Sequence, residues 1–244
     1  MKKRIDLLLL DKKIAESRTK AQAMIMAGQI SVSGKKVLKS GEVYEESVNI
    51  ISTNLHPQWV SRGALKLLHA FDNFNINITN STCLDLGAST GGFTEVLLSR
   101  KVKKIYSVDV GTNQLHEKLK KNPKIINISK TNARYLNRDI ISDRINVIVC
   151  DVSFISMKKV IEPSLKFLNK KNGIVIGLIK PQFESFKNEI QKNGVIINTK
   201  IHQRICEDYR DWFTSKCKMK VVGIIPSPIK GPKGNIEFLI YAIR

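Results

Sequence analysis

A glycine-rich segment and a distant aspartate form the clearest chemical pattern in this sequence. Residues 85–92 read DLGASTGG and directly follow a short apolar run, so the glycines would let the backbone approach a bulky ligand. Asp109 lies 22 residues beyond Gly87, at the end of the next apolar run, where a carboxylate can bind two ribose hydroxyls. The pair predicts a site for a nucleoside cofactor.

The spacing of the glycines indicates which cofactor to expect. Three residues separate Gly87 from Gly91, so a G-x-G-x-x-G dinucleotide loop is not present. Asp85 would repel a pyrophosphate but suits the cationic aminoacyl end of S-adenosyl-L-methionine, which predicts a methyltransferase loop. The alternative is a strand-to-helix turn without a ligand. The candidate cofactor-binding residues are Asp85, Gly87, Ala88, Ser89, Gly91, Gly92, Phe93, Asp109, Asn132 and Asp151.

Further charged residues stand where a purely apolar core would exclude them. Asp151 closes the run Val147–Cys150, and Lys180 closes the run Gly173–Ile179. Because neighbouring parallel strands end at the same edge of a sheet, these two side chains are expected side by side at a ligand cleft. The alternative is a salt bridge of structural use only. Two more charges, Lys66 before the first strand and Glu237 at the start of the last, favour a functional site.

The elements that must position these residues alternate between strands and helices. This alternation predicts an α/β fold with a mainly parallel sheet that is covered on both faces. The predicted strands are Thr82–Leu86, Ile105–Val110, Ile125–Ile128, Val147–Cys150, Ile174–Ile179, Val221–Ile225 and Phe238–Ile243. The predicted helices include Phe93–Arg100, Lys158–Leu168 and Lys200–Lys216.

Residues 1–60 have a different pattern, and the boundary is expected near residues 52–60. A short helix over Ile5–Leu10 precedes a second helix, which Ser17 caps and Gly28 ends. A hairpin turning at residues 33–34 and a strand over Val48–Ile51 follow. We therefore predict a small α+β domain over residues 1–60 and a larger domain over residues 61–244.

The overall charge favours a polyanionic partner. Lys and Arg number 41 against 21 Asp and Glu, giving a net charge of +20, of which +4 falls in residues 1–60. Nucleic acid is the expected partner, the alternative being a solvated lysine-rich surface. Six residues are candidates for RNA binding, although they could equally belong to such a solvated surface: Arg4, Arg18, Lys20, Lys35, Lys36 and Arg62.

Several classes of protein are disfavoured by composition. No apolar stretch approaches the roughly 18 to 20 residues of a membrane-spanning helix, and the amino terminus lacks a signal peptide, so a cytoplasmic protein is expected. The four cysteines and four histidines show no C-x-x-C pair and no clustering, so neither a metal site nor a disulfide framework is expected.

Five sequence motifs stand in order along the chain, namely Ser61–Leu67, Asp85–Thr94, Cys150–Ser156, Lys180–Glu184 and Gly234–Phe238. Together they resemble the TlyA family, bacterial ribosomal-RNA 2'-O-methyltransferases often labelled hemolysins. The catalytic domain of that family is similar to that of FtsJ, and residues 1–60 resemble a small RNA-binding module shared with a ribosomal protein and many pseudouridine synthases. The resemblance implies a Rossmann-like class I methyltransferase sheet with a small RNA-binding domain at the amino terminus.

The resemblance also implies a catalytic set of Lys66, Asp151, Lys180 and Glu237. A ribose 2'-hydroxyl is a very weak acid, so its attack on a sulfonium methyl group needs proton removal and a fixed trajectory. Lys180 is the better candidate for the base, because partial burial and a neighbouring cation such as Lys66 would favour the neutral amine. Asp151 and Glu237 would orient the lysines.

The substrate is also implied by the resemblance. The family modifies cytidine in ribosomal RNA, so the expected partner is ribosomal RNA or an assembled ribosomal subunit. Its shorter form acts on the large subunit alone, and its longer form, extended at both ends, acts on both subunits. Because this chain starts at Lys2-Lys3-Arg4 and stops seven residues after Glu237, it looks like the short form. The expected product is 2'-O-methylcytidine in large-subunit RNA.

Four alternatives remain at this stage. Methylation of a base is suggested by Asp151–Phe154, and Cys150 could serve as its nucleophile, although its place one residue earlier on the strand predicts a buried core thiol. A pseudouridine synthase is suggested by residues 1–60 but not by the cofactor loop. The others are a membrane-active hemolysin and an RNA-binding assembly factor without catalysis.

Overall fold

The computed structural model describes residues 2–12, 14–15, 17–26, 28–52, 59–231 and 233–244. The chain divides into two compact units, residues 1–58 and 59–244. Residues 53–58, which make up most of the segment where the boundary was expected, lie outside the described residues.

The first unit packs two helices against short antiparallel strands. Its elements are β1 (Lys2–Arg4), α1 (Ile5–Asp11), α2 (Arg18–Met26), β2 (Ile30–Val32), β3 (Lys35–Lys36), β4 (Val43–Glu45) and β5 (Ile50–Ser52). The strand pairs are β1 with β4, and β2 with both β3 and β5. Its core is formed by apolar side chains of both helices and of β2, among them Ile5, Leu9, Ala21, Ile25 and Ile30.

Local signals in the first unit act as predicted. The hydroxyl of Ser17 accepts the backbone N–H of Lys20 at 3.2 Å, as an N-cap does, and Gly28 adopts a φ of +67° after the helix. Ser33 and Gly34 both have positive φ in the turn between β2 and β3. The last strand begins two residues later than predicted, because Val48 lies before the first paired residue.

The second unit is built on a seven-stranded sheet. Its helices are α3 (Gly63–Phe74), α4 (Gly92–Ser99), α5 (Glu117–Lys120), α6 (Lys158–Ser164), α7 (Pro181–Glu184) and α8 (Thr199–Asp211). Its strands are β6 (Thr82–Leu86), β7 (Lys104–Val108), β8 (Ile125–Ile128), β9 (Val147–Cys150), β10 (Ile174–Ile179), β11 (Lys220–Pro226) and β12 (Phe238–Ile243). Their order is β11-β12-β10-β9-β6-β7-β8.

The sheet is mainly parallel, and the predicted α/β class is confirmed. β8, β7, β6, β9 and β10 pair in parallel, whereas β12 is antiparallel to both of its neighbours. Alternate strand residues face opposite sides, so Ile148 and Cys150 join one apolar cluster and Val147 and Val149 join the other. Helices α6 and α8 cover the first side, and α3 and α4 cover the second.

Two predicted helices differ from the observed ones. The helix predicted to reach Leu168 ends at Ser164, because Leu168 leaves the helix to form a parallel bridge with Ile145. The helix predicted over Lys200–Lys216 is α-helical to Asp211 and continues as a π-helical turn over Trp212–Lys216. Among the described residues, no helix is long and apolar enough to cross a membrane.

Candidate active site

Four buried or largely buried charges form a connected chain at the carboxyl edge of the parallel strands. The Lys66 ammonium donates to Glu237 Oε2 at 2.6 Å and lies 3.8 Å from Asp151 Oδ2. The Lys180 ammonium lies 2.6 Å from Asp151 Oδ1 and donates to Ser153 Oγ at 2.7 Å. Two positive and two negative charges therefore balance within this group, which we call the Lys-Asp-Lys-Glu cluster.

Strand register explains why these residues meet. β9 and β10 run in parallel with Cys150 opposite Gly177, so Asp151 and Lys180 leave adjacent strands at the same edge. β12 is antiparallel to β10 and pairs Phe238 with Ile179, which places Glu237, just before β12, at that edge too. Lys66 comes from α3. The predicted side-by-side arrangement of Asp151 and Lys180 is confirmed.

The two carboxylates lie where they were expected to orient the lysines. Lys180 lies directly against the carboxylate of Asp151. Lys66 likewise lies against Glu237. Both lysines are less than one-tenth exposed, so each ammonium exchanges water for a carboxylate partner.

The glycine-rich loop runs from the end of β6 into α4, beside this cluster. Gly87 has a φ of +82°, and a Cβ there would lie 2.7 Å from the carbonyl oxygen of Asp151. A Cβ on Gly92 would collide with the hydroxyl of Ser61. These glycines were expected to make room for a ligand, but the contacts show that neighbouring atoms of the chain itself require them.

Asp109 holds the loop from the adjacent strand. Its carboxylate accepts the backbone N–H of Ser89 and the backbone N–H of Gly111, both at 2.8 Å. Ser89 adopts a φ of +48°, a conformation that this hydrogen bond helps to stabilise. Asp109 is partly exposed, so the same carboxylate remains accessible at the end of β7.

Asp85 lies below the loop and is completely buried. Its Oδ2 accepts the Thr94 hydroxyl at 2.6 Å, and that hydroxyl also lies 2.8 Å from the hydroxyl of Ser107. The other oxygen, Oδ1, has no hydrogen-bond partner. Burial raises the pKa of the Asp85 carboxyl to about 7, and the hydrogen bond from Thr94 opposes the shift.

A cavity of about 320 Å³ opens between the loop and the Lys-Asp-Lys-Glu cluster. This volume lies within the usual range for small-molecule sites. The cavity is lined by Ser61, Arg62, Gly63, Lys66, Gly87, Ala88, Ser89, Thr90, Gly92, Phe93, Asp151, Ser153, Lys180, Ile229, Lys230 and Glu237. All four cluster residues and five of the predicted cofactor-loop residues therefore face one space.

Four predicted cofactor residues lie outside that lining. Asp85 is beneath the loop, Asp109 binds its backbone, and Gly91 packs toward Leu115 and Leu119. Asn132 caps a short 3₁₀ helix over Ala133–Tyr135, where its side chain accepts the backbone N–H of Arg134 at 3.1 Å.

The predicted RNA-binding residues fall into two groups. Arg4 and Arg18 both donate to the buried carboxylate of Asp6, at 3.0 Å, which lowers the pKa of that carboxyl. These two arginines therefore hold the first unit together, although both side chains remain about half exposed. The other candidates are exposed, namely Lys20, Lys35, Lys36 and Arg62.

Sequence reasoning did not assign several residues of the site. Ser153 binds Lys180, and Lys230 lines the cavity while its carbonyl accepts a hydrogen bond from Arg62 at 3.4 Å. Phe154 is 91% exposed and has a φ of +65°, which is uncommon for an aromatic residue. The motif that contains Asp151 was the available signal for Ser153 and Phe154, whereas nothing in the sequence singled out Lys230.

Comparison with known families assigns both units. Residues 59–244 match the model of the FtsJ-like methyltransferase, and residues 3–50 match the S4 domain. The chain belongs to the FtsJ-like methyltransferase family. The second unit is thus a methyltransferase domain, and the fold expected from the resemblance is confirmed.

Individual relatives support the same assignment. Hemolysin A of Brachyspira hyodysenteriae is 40% identical over 98% of this chain and 99% of its own length. The Mycobacterium tuberculosis protein named 16S/23S rRNA (cytidine-2'-O)-methyltransferase TlyA is 35% identical over 98% of this chain and 88% of its own. A solved hemolysin-named structure from Streptococcus thermophilus has a TM-score of 0.78 and 35% identity, covering 100% of this chain and 88% of that one. The resemblance to the TlyA family is therefore confirmed.

The burial of Asp85 generates a test based on pH. The folded protein keeps a proton on Asp85 up to about pH 7, whereas the unfolded chain releases it near pH 4, so this group lowers stability as pH rises between those values. We expect Asp85→Asn to be more stable than the wild type at pH 8, by on the order of 2–4 kcal/mol, with a smaller difference at pH 4.5. Urea denaturation at both pH values measures this. Asp72→Asn, at an exposed position, is the control. If the stability difference between Asp85→Asn and the wild type were the same at both pH values, the raised pKa of Asp85 would be contradicted.

Proposed function

We propose that this protein transfers a methyl group from S-adenosyl-L-methionine to the ribose 2'-hydroxyl of cytidine in ribosomal RNA. The observation that carries the proposal is the Lys-Asp-Lys-Glu cluster, which lines the same cavity as the cofactor loop. The name of the Mycobacterium tuberculosis relative supplies the substrate class.

The site has features that suit S-adenosyl-L-methionine. The unpartnered Oδ1 of Asp85 is a carboxylate oxygen that lacks a donor, which an amino group could provide. Asp109 directly follows β7 next to the loop, where it would bind the ribose hydroxyls. Within the loop, Ala88, Ser89 and Phe93 line the cavity. Gly87, Gly91 and Gly92 shape the loop, and Asn132 would be a further cofactor contact.

The charged cluster would position the ribose and receive its proton. Bound S-adenosyl-L-methionine supplies a methyl group on a positively charged sulfur. Lys180, fixed by Asp151 and Ser153, would hold the 2'-oxygen in line with that methyl group, and it would have to release its own proton before it could accept that of the hydroxyl. Lys66, held by Glu237, would steady Asp151 from the other side.

Phe154 offers a surface for the target base. Its ring packs against that of Phe183 at a tilt of 49°, with centroids 5.2 Å apart, and the side chain is otherwise exposed to solvent. The residue directly follows Ser153, which contacts Lys180, so a base stacked on Phe154 would leave its ribose near the cluster. Strained backbone at an exposed aromatic residue beside the cavity is consistent with such a role.

Three alternatives receive less support. Carbon-5 methylation would require Cys150 as a nucleophile, but its thiol is completely buried in the core and burial raises its pKa well above the ordinary value. A membrane-active hemolysin has only the names of relatives in its favour. An assembly factor without catalysis would have no use for a cavity that joins a cofactor loop to paired lysines and carboxylates.

The first unit would supply affinity for RNA. Lys20, Lys35 and Lys36 present exposed charges to phosphate, and Arg62 does so at the cavity of the second unit. Arg4 and Arg18 would contribute only the part of each guanidinium that Asp6 does not occupy. Restriction to the large subunit stays a prediction, since the Mycobacterium tuberculosis relative is named for both subunits.

The reaction can be tested directly. Purified protein, unmethylated ribosomal subunits and methyl-labelled S-adenosyl-L-methionine should yield 2'-O-methylcytidine after nuclease digestion and mass spectrometry, with label in the large subunit and little in the small one. Label on a base rather than on a ribose would contradict the proposed 2'-O-methylation. Equal labelling of both subunits would contradict only the predicted restriction to the large subunit.

The role of Lys180 can be tested with a charge-balanced control. Lys180→Met should lower turnover by about 10²- to 10⁴-fold, the usual contribution of a positioned proton acceptor, with little change in cofactor affinity. Because this variant leaves Asp151 with only the more distant Lys66, at 3.8 Å, a second variant restores the charge balance: Lys180→Met/Asp151→Asn should be equally inactive. The exposed Lys170→Met is the matched control. Restored turnover in the double variant would show that Lys180 only balances charge.

The cofactor assignment can be tested at Asp109. Asp109→Asn keeps the shape of the side chain but loses its charge and one of its two acceptor oxygens, so calorimetry should show S-adenosyl-L-methionine affinity weakened by about 1.5–3 kcal/mol. Asp109→Ala releases the backbone N–H groups of both Ser89 and Gly111, so its loss should be larger. Unchanged affinity in both variants would exclude Asp109 from the cofactor site.

A further inference from the structure

An exposed aromatic ring follows the cluster along the chain and belongs to no part of the site described above. Phe186 lies six residues after Lys180, and its side chain is 68% exposed. The guanidinium of Arg204, on α8, lies 5.3 Å from the centroid of the ring. One face of the ring is thus covered by a cation, and much of the rest remains in water.

The position of this pair is fixed by one carboxylate. Glu189 accepts Arg204 Nη2 with both of its oxygens at 2.7 Å, and its Oε2 also accepts the backbone N–H of Phe186 at 2.9 Å. Arg204 and Phe186 are therefore held in one geometry before any ligand arrives. We call Phe186, Glu189 and Arg204 the Phe186 clamp.

Two further aromatic residues contact each other before the clamp in sequence. Phe183, in α7 and three residues before Phe186, packs against Phe154, with ring centroids 5.2 Å apart. Exposed lysines follow Phe186 in sequence, namely Lys187 and Lys192 and, in the first turn of α8, Lys200. Aromatic faces set among cations are the features by which proteins bind unpaired nucleic acid strands.

We propose that the Phe186 clamp binds the base of an unpaired nucleotide that flanks the methylated one. The face of the ring that Arg204 does not cover provides the stacking surface, and Arg204 supports the ring from behind as a planar cation. Stacking of this kind tolerates any base, so the clamp would position the strand without reading its sequence. The substrate context rests on the proposed function, but the binding of unpaired RNA can be measured without it.

The first experiment uses a fluorescein-labelled single-stranded RNA of ten cytidines and the full-length protein. Phe186→Leu keeps an apolar side chain but lacks an aromatic face, and it should raise the Kd about 5- to 30-fold, as expected for loss of one stacked base. Phe186→Trp should bind as tightly as the wild type. If Phe186→Leu matches the wild type, or Phe186→Trp is as weak as Phe186→Leu, the clamp is not a stacking site.

Salt dependence separates stacking from phosphate binding. Phe186→Leu should keep the wild-type slope of log Kd against log salt, because a phenyl ring releases no counterions. Lys192→Ala is the matched control in the same loop, and it should reduce the slope by roughly 0.7 if Lys192 contacts a phosphate. A change of slope in Phe186→Leu would overturn the stacking interpretation.

Turnover on ribosomal subunits distinguishes failure of the clamp from failure of the proposed function. Phe186→Leu should raise KM for the subunits with kcat and S-adenosyl-L-methionine affinity unchanged. If the wild type methylates RNA and the variant has wild-type KM, the clamp proposal fails alone. If the wild type transfers no methyl group while the variant still loses binding to the ten-cytidine RNA, the proposed function fails and the clamp stands.

Discussion

Burial of the charges of Lys66, Glu237, Asp151 and Lys180 is the constraint on which the site depends. Each ion would cost several kcal/mol to bury alone, and removing one partner of a buried pair typically costs about 3–5 kcal/mol. The cost is offset only when the helix and the three strand ends that carry them are in register. A shift of one residue in any of these strands would turn a charged side chain away from its partner. The contacts among the four charged residues therefore both form the proposed catalytic group and favour the observed register of the sheet.

The antiparallel β12 is a consequence of this arrangement. A parallel strand would present its carboxyl end at the site, and Glu237 would then have to follow the strand. Because β12 is reversed, the residue before the strand meets Lys66, and the rest of the strand runs away through the core between β10 and β11. The loop before β12 is fitted closely to this carboxylate, since a Cβ on Gly231 would lie 2.6 Å from Glu237 Oε1.

Sequence patterns predicted the strands of the sheet well, but they predicted few of the contacts that individual side chains make. Strands such as Val147–Cys150 are continuous apolar runs because both faces are covered, and their ends are therefore visible in the sequence. The meeting of Asp151 and Lys180 followed from that topology. The pairing of Arg4 and Arg18 with Asp6, by contrast, depends on how α1 packs against α2, which no local pattern reports. The close approaches at the loop glycines depend on side chains distant in sequence, so only coordinates show them.

Charge is distributed so that the site and the surface favour different ligands. The protein carries +20 in total, but the four cluster residues sum to zero, and the partly exposed carboxylate of Asp109 lies beside the loop. A positively charged methyl donor is therefore not opposed by the two lysines that a ribose hydroxyl requires. The excess of positive charge lies on exposed lysines such as Lys35, Lys36 and Lys192, where it attracts a polyanion without disturbing the cluster. Local neutrality within a basic protein lets one molecule bind a cationic cofactor and an anionic substrate.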